Sequence, residues 1–468
     1  MSDKTKGEIL KEKLFDKKEN GWLNCNQKDV MEYSNGYIKF LNKAKTERNF
    51  VKEAKNLLEQ NGFKPLEKMN VLVENDKVYY INKNKGIFAS VIGKEHLKNG
   101  MQIVGAHIDS PRLDVRPNPL YETNELAYFK TRYYGGIKKY QWTCIPLNLY
   151  GVITKTNGDV LEINIGDDDD DPVFVISDLL PHLSKEQNKK SLTNGVEGED
   201  LNILIGSMPF KDDKVSLKVK LNILDILNKK YGITEKDFTS SELELVPAMK
   251  AKSLGFDSSM VGAYGQDDKV CSYTALTAIL NIQNPTKTST LILADKEEIG
   301  SMGNTGMFSN VFECYINKLL NKTNQNDYNM VNTVLCKSKA LSADVTAGFD
   351  PNFASAFEKY NEAYLNKGVS INKYTGGNGK SGASDASSEF IGYVRNILEA
   401  NNITYQVTDM GKIEMGGGGT IAYILANRGI DVIDLGIPIL SMHSPYEVSS
   451  KFDVYMAYLT YKAFYKSL

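Results

Sequence analysis

The spacing of hydrophobic residues changes twice along the chain, and the changes divide it into three parts. In the first part, residues 30–58 carry apolar side chains at helical spacing. Runs typical of β-strands follow at residues 77–82, 86–93 and 101–106. The last run ends directly before His107. Residues 1–110 are therefore predicted to form the first part of a domain that mixes helices and strands.

Residues 111–254 have a different pattern, in which apolar and polar residues alternate and Gly, Asn and Asp separate the runs. Strands are predicted at residues 140–145, 149–154, 160–165 and 214–223. The acidic run 167–171 is interpreted as a solvated turn, because the spacing of an EF-hand and its closing Glu are missing. The segment is predicted to be an inserted, β-rich domain.

From residue 255 to 468, helical and strand patterns alternate. A helix is predicted at residues 274–282, a strand at 289–294, a buried run at 429–437 and a final helix at 453–468. Alternation of this kind predicts an α/β sandwich around a mixed or parallel sheet. The fold class expected for the chain is thus α/β, with residues 255–468 completing the domain that residues 1–110 begin.

Composition and charge exclude several classes of protein. Lys and Arg number 56 against 58 Asp and Glu, so there is no basic excess of the kind that binds nucleic acid. No apolar run reaches 18 residues and the N-terminus mixes charges of both signs, so neither a membrane span nor a signal peptide is predicted. The five cysteines form no CxxC pair and indicate reduced thiols in a cytoplasmic protein. Any metal would have to be bound by His, Asp and Glu.

Two of the four histidines lie where apolar strands are predicted to end, beside small and acidic residues. His107 lies in Gly-Ala-His-Ile-Asp-Ser-Pro, and His443 lies in Leu-Ser-Met-His-Ser-Pro-Tyr-Glu. Ligands collect at the carboxyl ends of strands in open α/β sheets, and imidazole is a common metal ligand. Asp109, two residues after His107, is placed to orient the imidazole through its other ring nitrogen. Either histidine alone is more often a structural, hydrogen-bonded residue.

Carboxylates at the ends of other predicted strands favour a metal-binding role for the two histidines over a structural one. Glu297 and Glu298 follow a buried strand, where a pair of glutamates is costly unless one meets a cation and the other a proton. Asp267 is a helix N-cap when considered alone, and Asp344 is a turn residue when considered alone. Together, the two histidines and these carboxylates suit two divalent ions held about 3.5–4 Å apart. Because the residues are spread over more than 300 positions, spacing by itself leaves the question open.

Five segments in order resemble those of the aspartyl aminopeptidase / aminopeptidase I family of dinuclear metallopeptidases, particularly its bacterial members. They are Ala-His-Ile-Asp-Ser-Pro-Arg from residue 106, Gly-Gln-Asp-Asp-Lys from 265, Asp-Lys-Glu-Glu-Ile-Gly-Ser from 295, Ser-Ala-Asp from 342 and Ser-Met-His-Ser from 441. The resemblance covers essentially the full length. It implies a three-layer α/β metallopeptidase domain, with residues 111–254 as a dimerisation domain, and a homo-oligomer that is a tetrahedral dodecamer.

The resemblance also implies a role for each matched residue. His107 and Asp344 would bind one metal, Glu298 and His443 the other, and Asp267 would bridge them, with Glu297 as general base and Asp109 as the carboxylate that orients the site. The metals implied are two zinc ions, with cobalt and manganese as alternatives. His182 would reach a neighbouring subunit's active site, with a packing role as the alternative. Lys380 would meet a substrate carboxylate, with a solvated loop lysine as the alternative.

Peptides are the implied substrates, and the implied reaction is removal of their N-terminal residue. The sequence leaves open whether acidic or neutral first residues are preferred. The resemblance to the bacterial aminopeptidase I branch favours neutral ones. A related dinuclear carboxypeptidase or deacylase is the rival within hydrolases, and a scaffold protein without metals is the rival outside them. The glycines at 416–419 lack a Walker lysine and indicate a loop near the substrate or a tight turn, not a nucleotide site.

Overall fold

A computed structural model of the chain describes residues 4–16, 19–325, 327, 329–409, 411–414 and 417–467. The α-helices are α1 (Lys6–Leu14), α2 (Gln27–Leu41), α3 (Glu47–Gln60), α4 (Lys218–Tyr231), α5 (Gln266–Leu280), α6 (Val311–Lys322), α7 (Met330–Lys337), α8 (Ser388–Ala400), α9 (Ala422–Ala426) and α10 (Lys451–Tyr465). The strands are β1 (Lys64–Pro65), β2 (Lys77–Asn82), β3 (Gly86–Val91), β4 (Met101–His107), β5 (Arg112–Thr123), β6 (Leu126–Tyr134), β7 (Leu147–Thr154), β8 (Val160–Ile165), β9 (Ile203–Gly206), β10 (Ser241–Pro247), β11 (Lys252–Leu254), β12 (Met260–Ala263), β13 (Thr288–Ala294), β14 (Lys339–Ser342), β15 (Thr346–Ala347), β16 (Val369–Tyr374), β17 (Tyr405–Asp409), β18 (Asp431–Gly436), β19 (Pro438–Leu440) and β20 (Glu447–Ser450).

A nine-stranded mixed sheet organises the first and last parts of the chain, in the order β1-β2-β3-β13-β4-β14-β18-β16-β17. Strands β13, β4, β14 and β18 run parallel at its centre and are almost fully buried. Their apolar runs are continuous because both faces of the sheet are covered. Since parallel strands end at one edge, the residues that follow β4, β13 and β14 are brought together there.

Helices cover the nine-stranded sheet on both faces and make three layers. On one face, α2, α3, α5, α8 and α10 contribute to a core that includes Tyr37, Phe50, Leu276 and Tyr461. On the other face, α6, α7 and α9 pack around Phe312, Leu319 and Leu425. This arrangement confirms the expected α/β fold class.

A second sheet of six antiparallel strands, β8-β7-β10-β5-β6-β9, is built from residues within the predicted insert. It has a hydrophobic core of its own around Phe129, Trp142 and Leu245. The strands predicted at 149–154 and 160–165 are confirmed as β7 and β8. The bounds 1–110, 111–254 and 255–468 stay a prediction of where domains begin and end.

Two strands predicted in this segment are wrong. Residues 214–223 overlap helix α4, which ends at Gly232 in the left-handed conformation (φ 63°). The apolar residues of that run fit both the alternation of a strand and the i, i+3, i+4 spacing of a helix. A run this short does not distinguish the two periodicities. Residues 140–145 overlap a 3-10 turn at Lys139–Trp142, in which Trp142 packs inward instead of pairing with a neighbouring strand.

A small five-stranded sheet, β11-β12-β20-β19-β15, joins segments that are far apart in sequence. Pairing of β12 with β20 places Ala263 opposite Glu447. The start of α5 therefore lies beside the segment that carries His443. The helices predicted at 30–58, 274–282 and 453–468 are confirmed as α2 with α3, α5 and α10. Within the part of the chain that the structure describes, no helix is both long enough and apolar enough to span a membrane.

Candidate active site and metal centre

His107 is the last residue of β4 and lies at the carboxyl edge of the nine-stranded sheet. The next residue, Ile108, is bonded to the end of the neighbouring strand β13, because its backbone N–H donates to the carbonyl of Ala294 at 2.9 Å. The imidazole is buried, with 2% of the residue exposed. Its Nδ1 lies 3.1 Å from the backbone carbonyl of Asp109 and 3.3 Å from the Asp109 carboxylate. Because these partners only accept hydrogen bonds, Nδ1 carries a proton, and Nε2 is the ring nitrogen that faces the neighbouring carboxylates.

Asp267 lies between the two histidines that the sequence singled out. Its Oδ1 is 3.3 Å from Nε2 of His107, and its Oδ2 is 3.1 Å from Nε2 of His443. The Nδ1 of His443 is 2.8 Å from the carbonyl of Gly136, so this ring also directs Nε2 toward the carboxylate. One carboxylate that faces two imidazole nitrogens through its two oxygens has the disposition of a bridging ligand.

Glu297 and Glu298 form a short 3-10 turn directly after β13, preceded by Lys296 in the left-handed conformation (φ 68°). The Asp109 carboxylate accepts both of their backbone N–H groups, each at 3.2 Å. The Tyr134 hydroxyl donates to the same carboxylate at 2.8 Å. Glu298 Oε2 lies 3.4 Å from His443 Nε2, and Glu297 Oε2 lies 3.9 Å from His107 Nε2. Asp109 therefore holds the turn that presents one glutamate toward each histidine.

Asp344 approaches His107 from the third central strand. Its Oδ1 is 3.8 Å from His107 Nε2. It follows β14, whose register with β4 places Ser342 opposite Gly105. Gly436, at the end of β18, lies so close that a Cβ built there would be 1.8 Å from the Asp344 carbonyl oxygen. Only a glycine allows β18 to pass the Asp344 backbone at this distance.

Two further acidic residues, Asp268, interpreted from the sequence as a helix N-cap, and Glu447, to which the sequence assigned no role, support the site. Glu447 is 1% exposed; its Oε1 accepts the backbone N–H of His443 at 2.7 Å and its Oε2 accepts that of Asp267 at 3.1 Å. Asp268 is fully buried and accepts the backbone N–H of His107 at 3.4 Å. Glu447 lies four residues after His443 in the motif quoted above. The sequence gives no sign that this glutamate is buried, so it could not be distinguished from a surface glutamate.

The described site residues concentrate negative charge in a buried volume. Burial, together with the nearby charges of Asp344, Asp109 and Asp267, raises the pKa of Glu297 to about 8. Burial also raises the pKa of Glu298 well above its ordinary value. For Asp267, hydrogen bonds from the two histidines outweigh burial and hold its pKa below the ordinary value. Carboxylates crowded in this way need cations among them.

The donor set fits divalent metal ions. One ligand atom each from His107, Asp267 and Glu298 lies within 4.8 Å of the others, and the same holds for His107, Asp268 and Asp344. Glu298 Oε1 is buried and has no hydrogen-bond partner, so its lone pairs remain available to a cation. Imidazole nitrogens with carboxylate oxygens are the ligands that zinc, cobalt and manganese accept.

The two substrate-binding candidates lie on exposed loops. Nζ of Lys380 donates to Asp385 at 2.8 Å and lies 4.1 Å from the ring centroid of Tyr374. His182 is exposed, between Leu180 and Leu183, which are 49% and 67% exposed. Roles for both residues stay predictions. Gly416, the first glycine of the run at 416–419, is outside the described residues.

Known proteins are similar to this chain in sequence and fold over nearly its whole length. The sequence profile of the family described as aminopeptidase I zinc metalloprotease (M18) matches residues 40–465. A probable M18 family aminopeptidase 1 from Clostridium acetobutylicum is 49% identical over 93% of this chain and 95% of its own. The crystal structure of an M18 family aminopeptidase from Thermotoga maritima superposes with a TM-score of 0.94 and 44% identity, covering 97% of this chain and all of the other.

A more distant structure, the mApe1 dodecamer of S. cerevisiae, matches with a TM-score of 0.75 and 24% identity, covering 94% of this chain and 97% of that one. At this level of identity the likeness concerns the fold.

Proposed function

The chain belongs to the M18 aminopeptidase I family of zinc metalloproteases, and we propose that it removes N-terminal residues from peptides with two divalent metal ions and Glu297 as general base. That the protein is an M18 aminopeptidase follows from the family. The number of ions and the roles of individual residues are our proposal. The observation that carries it is the Asp267 carboxylate, which faces His107 with one oxygen and His443 with the other.

The proposed ligand sets divide around Asp267. His107 and Asp344 hold one ion, Glu298 and His443 hold the other, and Asp267 bridges the pair. The distances support this division, since Asp344 lies toward His107 at 3.8 Å and Glu298 lies toward His443 at 3.4 Å. We take zinc as the native metal on the family's description, with cobalt and manganese as substitutes that the same ligands accept.

Glu297 is proposed as the general base because it is adjacent in sequence to the proposed metal ligand Glu298 and is not itself proposed to bind a metal. Two ions bound at this site supply a water of lowered pKa and polarise the scissile carbonyl. Glu297 takes the proton of the attacking water and returns it to the leaving amine. Its carboxylate is partly exposed and lies 3.9 Å from His107 Nε2, so it can reach a water bound beside the proposed metal ligands.

Asp109 acts as a positioning residue in this proposal. Its carboxylate lies 3.3 Å from Nδ1 of His107 and accepts hydrogen bonds from the backbone N–H groups of Glu297 and Glu298. Tyr134 donates a further hydrogen bond and fixes the carboxylate itself. A shift of Asp109 would therefore displace a ligand of each metal and the base together.

The assembled protein is proposed to be a homo-oligomer, a dodecamer by family resemblance. The yeast relative with the same fold is described as a dodecamer. Leu179, Leu180 and Leu183, which surround His182, are each 49% to 67% exposed, and so many exposed leucines in one loop suit a contact between subunits. In such a contact His182 would reach a neighbour's active site. The five free thiols suit a cytoplasmic location.

Release of the first residue from short peptides tests the proposed activity. Peptides that begin with Leu, Met, Asp or Glu would be incubated with chelated protein, before and after zinc, cobalt or manganese is returned. We expect metal-dependent release from free N-termini only, and the best first residue gives the specificity, acidic or neutral. Cleavage of N-blocked peptides or acylated amino acids instead would indicate a deacylase, and no turnover with any metal would refute the proposal.

A further inference from the structure

The segment that follows the turn at Glu297 and Glu298 carries several exposed apolar side chains. Ile299 is 48% exposed, Met302 is 64% exposed and Phe308 is 43% exposed. Single apolar side chains on a surface need no explanation, whereas groups of them mark contact sites. Three of them in residues 299–308, directly after the proposed general base, indicate a contact site beside the metal centre.

Backbone hydrogen bonds bring Phe308 back to this turn. The N–H of Phe308 donates to the carbonyl of Ser301 at 3.2 Å, and the N–H of Ser301 donates to the carbonyl of Lys296 at 2.6 Å. Gly306 allows the chain to return, because a Cβ there would be 2.2 Å from the Ser301 carbonyl oxygen. Phe308 is thus connected through Ser301 to the residue that precedes Glu297.

Tyr423 packs against Phe308 from helix α9. The ring centroids are 5.8 Å apart, and the ring planes meet at 63°. Ile421, at the start of this helix, contacts strand β4, since its Cδ1 would be 3.0 Å from a Cβ built at Gly105. The two rings, which we call the aromatic wall, are therefore fixed to two segments of the site, the turn after β13 and strand β4.

The aromatic wall lies near the proposed base. Burial, and then the charge of Glu297, raise the pKa of the Tyr423 hydroxyl, so this hydroxyl lies within the electrostatic reach of the Glu297 carboxylate. Tyr423 Cε1 would be 3.6 Å from a Cβ built at Gly419. Because residue 419 has no side chain to cover the ring, Tyr423 stays partly exposed beside the site.

The chemistry of the base decides which part of a peptide meets the aromatic wall. Glu297 returns its proton to the leaving amine, so its carboxylate comes within hydrogen-bond distance, about 3 Å, of that nitrogen. The leaving nitrogen belongs to the second residue of the peptide. The side chain of the second residue starts nearer to this nitrogen than that of the first, which lies beyond the scissile carbonyl. The second side chain is therefore the one that reaches the surface beside Glu297.

We propose that the aromatic wall binds the side chain of the second residue of the substrate and selects apolar and aromatic side chains there. The proposal rests on the proposed function, with Glu297 as the base. An apolar second residue buries its surface against the rings of Phe308 and Tyr423. An acidic second residue is disfavoured, because its charge would lie beside the Glu297 carboxylate.

Tripeptides that differ only at the second residue test the proposal. Zinc-loaded protein would be given Leu-Phe-Gly, Leu-Leu-Gly, Leu-Gly-Gly or Leu-Glu-Gly, and kcat/KM would be measured from the release of leucine. We expect Leu-Phe-Gly to exceed Leu-Gly-Gly by about 10-fold or more, the discrimination that an apolar pocket gives, and Leu-Glu-Gly to be the poorest. Equal values for Leu-Phe-Gly and Leu-Gly-Gly would overturn the proposal. Release from none of the peptides would instead refute the aminopeptidase on which it rests.

Two variants connect the preference to the aromatic wall. Phe308→Ala changes an exposed position, and Tyr423→Leu keeps an apolar side chain on α9. Each should lower the ratio of kcat/KM between Leu-Phe-Gly and Leu-Gly-Gly several-fold. Hydrolysis of Leu-Gly-Gly should stay near that of the wild type, because glycine has no side chain to contact the wall. A general defect of the site would lower both peptides equally and leave the ratio unchanged.

The matched control is Phe256→Ala, which changes an exposed phenylalanine in the turn before β12, at the end of that strand away from Asp267. Its ratio should equal that of the wild type. If the wall variants altered the preference between Leu-Gly-Gly and Ala-Gly-Gly instead, the wall would contact the first residue and the proposal would be wrong. An unchanged ratio together with smaller oligomers would show a contact between subunits and would also refute it.

Discussion

At the residue scale, Asp109 and Glu447 perform the same task at opposite sides of the site. Each is a buried carboxylate that accepts two backbone N–H groups from segments carrying proposed ligands. Asp109 binds the turn at Glu297 and Glu298, while Glu447 joins Asp267 to His443. A carboxylate suits this task because both of its oxygens accept and neither donates. The side chains proposed to bind metal are therefore positioned through their backbone.

Glu447→Gln should weaken metal binding without removing a proposed ligand. The new amide group faces a backbone N–H that needs an acceptor, so Asp267 or His443 loses its support. We expect the affinity for zinc to fall about 10- to 100-fold, and turnover to recover largely at high metal. Titration in metal buffers measures the change.

The matched control is Glu362→Gln, a buried glutamate that accepts a backbone N–H from Glu358 at 3.2 Å and is not placed in the site. It should lower stability and leave zinc affinity unchanged. Equal zinc affinity in Glu447→Gln and the wild type would contradict the role assigned to Glu447.

Glu297→Gln should separate catalysis from metal binding. The amide cannot accept the proton of the attacking water, so turnover should fall by about two to four orders of magnitude. Because Glu297 is not a proposed ligand, two metal ions per subunit should remain, whereas Glu298→Gln should reduce the metal content. Turnover and metal analysis on the same preparations check both statements, and near-normal turnover in Glu297→Gln would exclude it as the base.

Lys45 gives a pH dependence of stability whose sign follows from its lowered pKa. Its pKa is about 8 in the folded protein and near its ordinary value of 10.5 when unfolded. Between these values the unfolded state binds the extra proton, so the free energy of unfolding rises with pH, by up to about 3 kcal/mol. Below pH 8 both states are protonated and the cost of burying the charge is fully present.

Lys45→Met should remove this rise and be more stable than the wild type at pH 7. Chemical denaturation of both proteins between pH 7 and 10.5 isolates the contribution of Lys45, because the other lysines are common to both. A stability difference that does not change with pH would show that Lys45 keeps an ordinary pKa.

At the element scale, the close passage of β18 against the segment after β14 supports the position of Asp344. Gly436→Ala would place a methyl group 1.8 Å from the Asp344 carbonyl oxygen, which the backbone must move to avoid. We expect a loss of about 3 kcal/mol or more in the free energy of unfolding, and weaker binding of metal at the His107 side. Denaturation and metal titration measure the two effects.

Gly392→Ala is the control for that change, because it lies within α8 and a Cβ there meets nothing within 4 Å. It should stabilise the protein by about 0.5–1 kcal/mol, since alanine loses less conformational freedom in a helix. If Gly436→Ala were as harmless as Gly392→Ala, the close contact would have no importance for the fold.

Periodicity predicted the elements that are long or fully buried, and it failed where a run was short or its signal ambiguous. Strands β4 and β13 were predicted from continuous apolar runs, and helix α10 was predicted from apolar residues that recur at helical spacing. Helix α4 was taken for a strand because few of its residues are deeply buried, which blurs the helical period. Glu447 gained no role because only the pairing of β12 with β20 places it between Asp267 and His443.

At the scale of the whole molecule, the site gathers residues from all parts of the chain. His107 ends β4 and Glu297 lies in the turn that follows β13. The small sheet joins Asp267 to the segment of His443, and the Gly136 carbonyl comes from the loop after β6. The residue types and their positions at the ends of predicted strands suggested a metal site. The sequence does not give the distances between these residues in the folded protein. The assignment of ligands in the sequence therefore rested on family resemblance and stays a prediction, although the structure brings the named side chains close together.

The proposed contribution of His182 to a neighbouring subunit makes a prediction about mixed oligomers. His182→Ala would leave a subunit with an intact metal centre but without the histidine that it lends, and Glu297→Gln would leave one with the histidine but without the base. Oligomers of either variant alone should be inactive or nearly so. In mixed oligomers, a His182→Ala centre beside a Glu297→Gln subunit receives an intact histidine and should be active.

Co-expression with two different affinity tags and sequential purification would isolate these mixed oligomers. For random assembly, about a quarter of the sites combine an intact centre with an intact neighbouring His182, so close to a quarter of the wild-type turnover is expected. His96→Ala in place of His182→Ala is the control, since His96 begins a turn on the nine-stranded domain and should leave activity intact. If His182→Ala alone were fully active, the histidine would have a packing role; if it were inactive and mixing restored nothing, His182 would act within its own subunit.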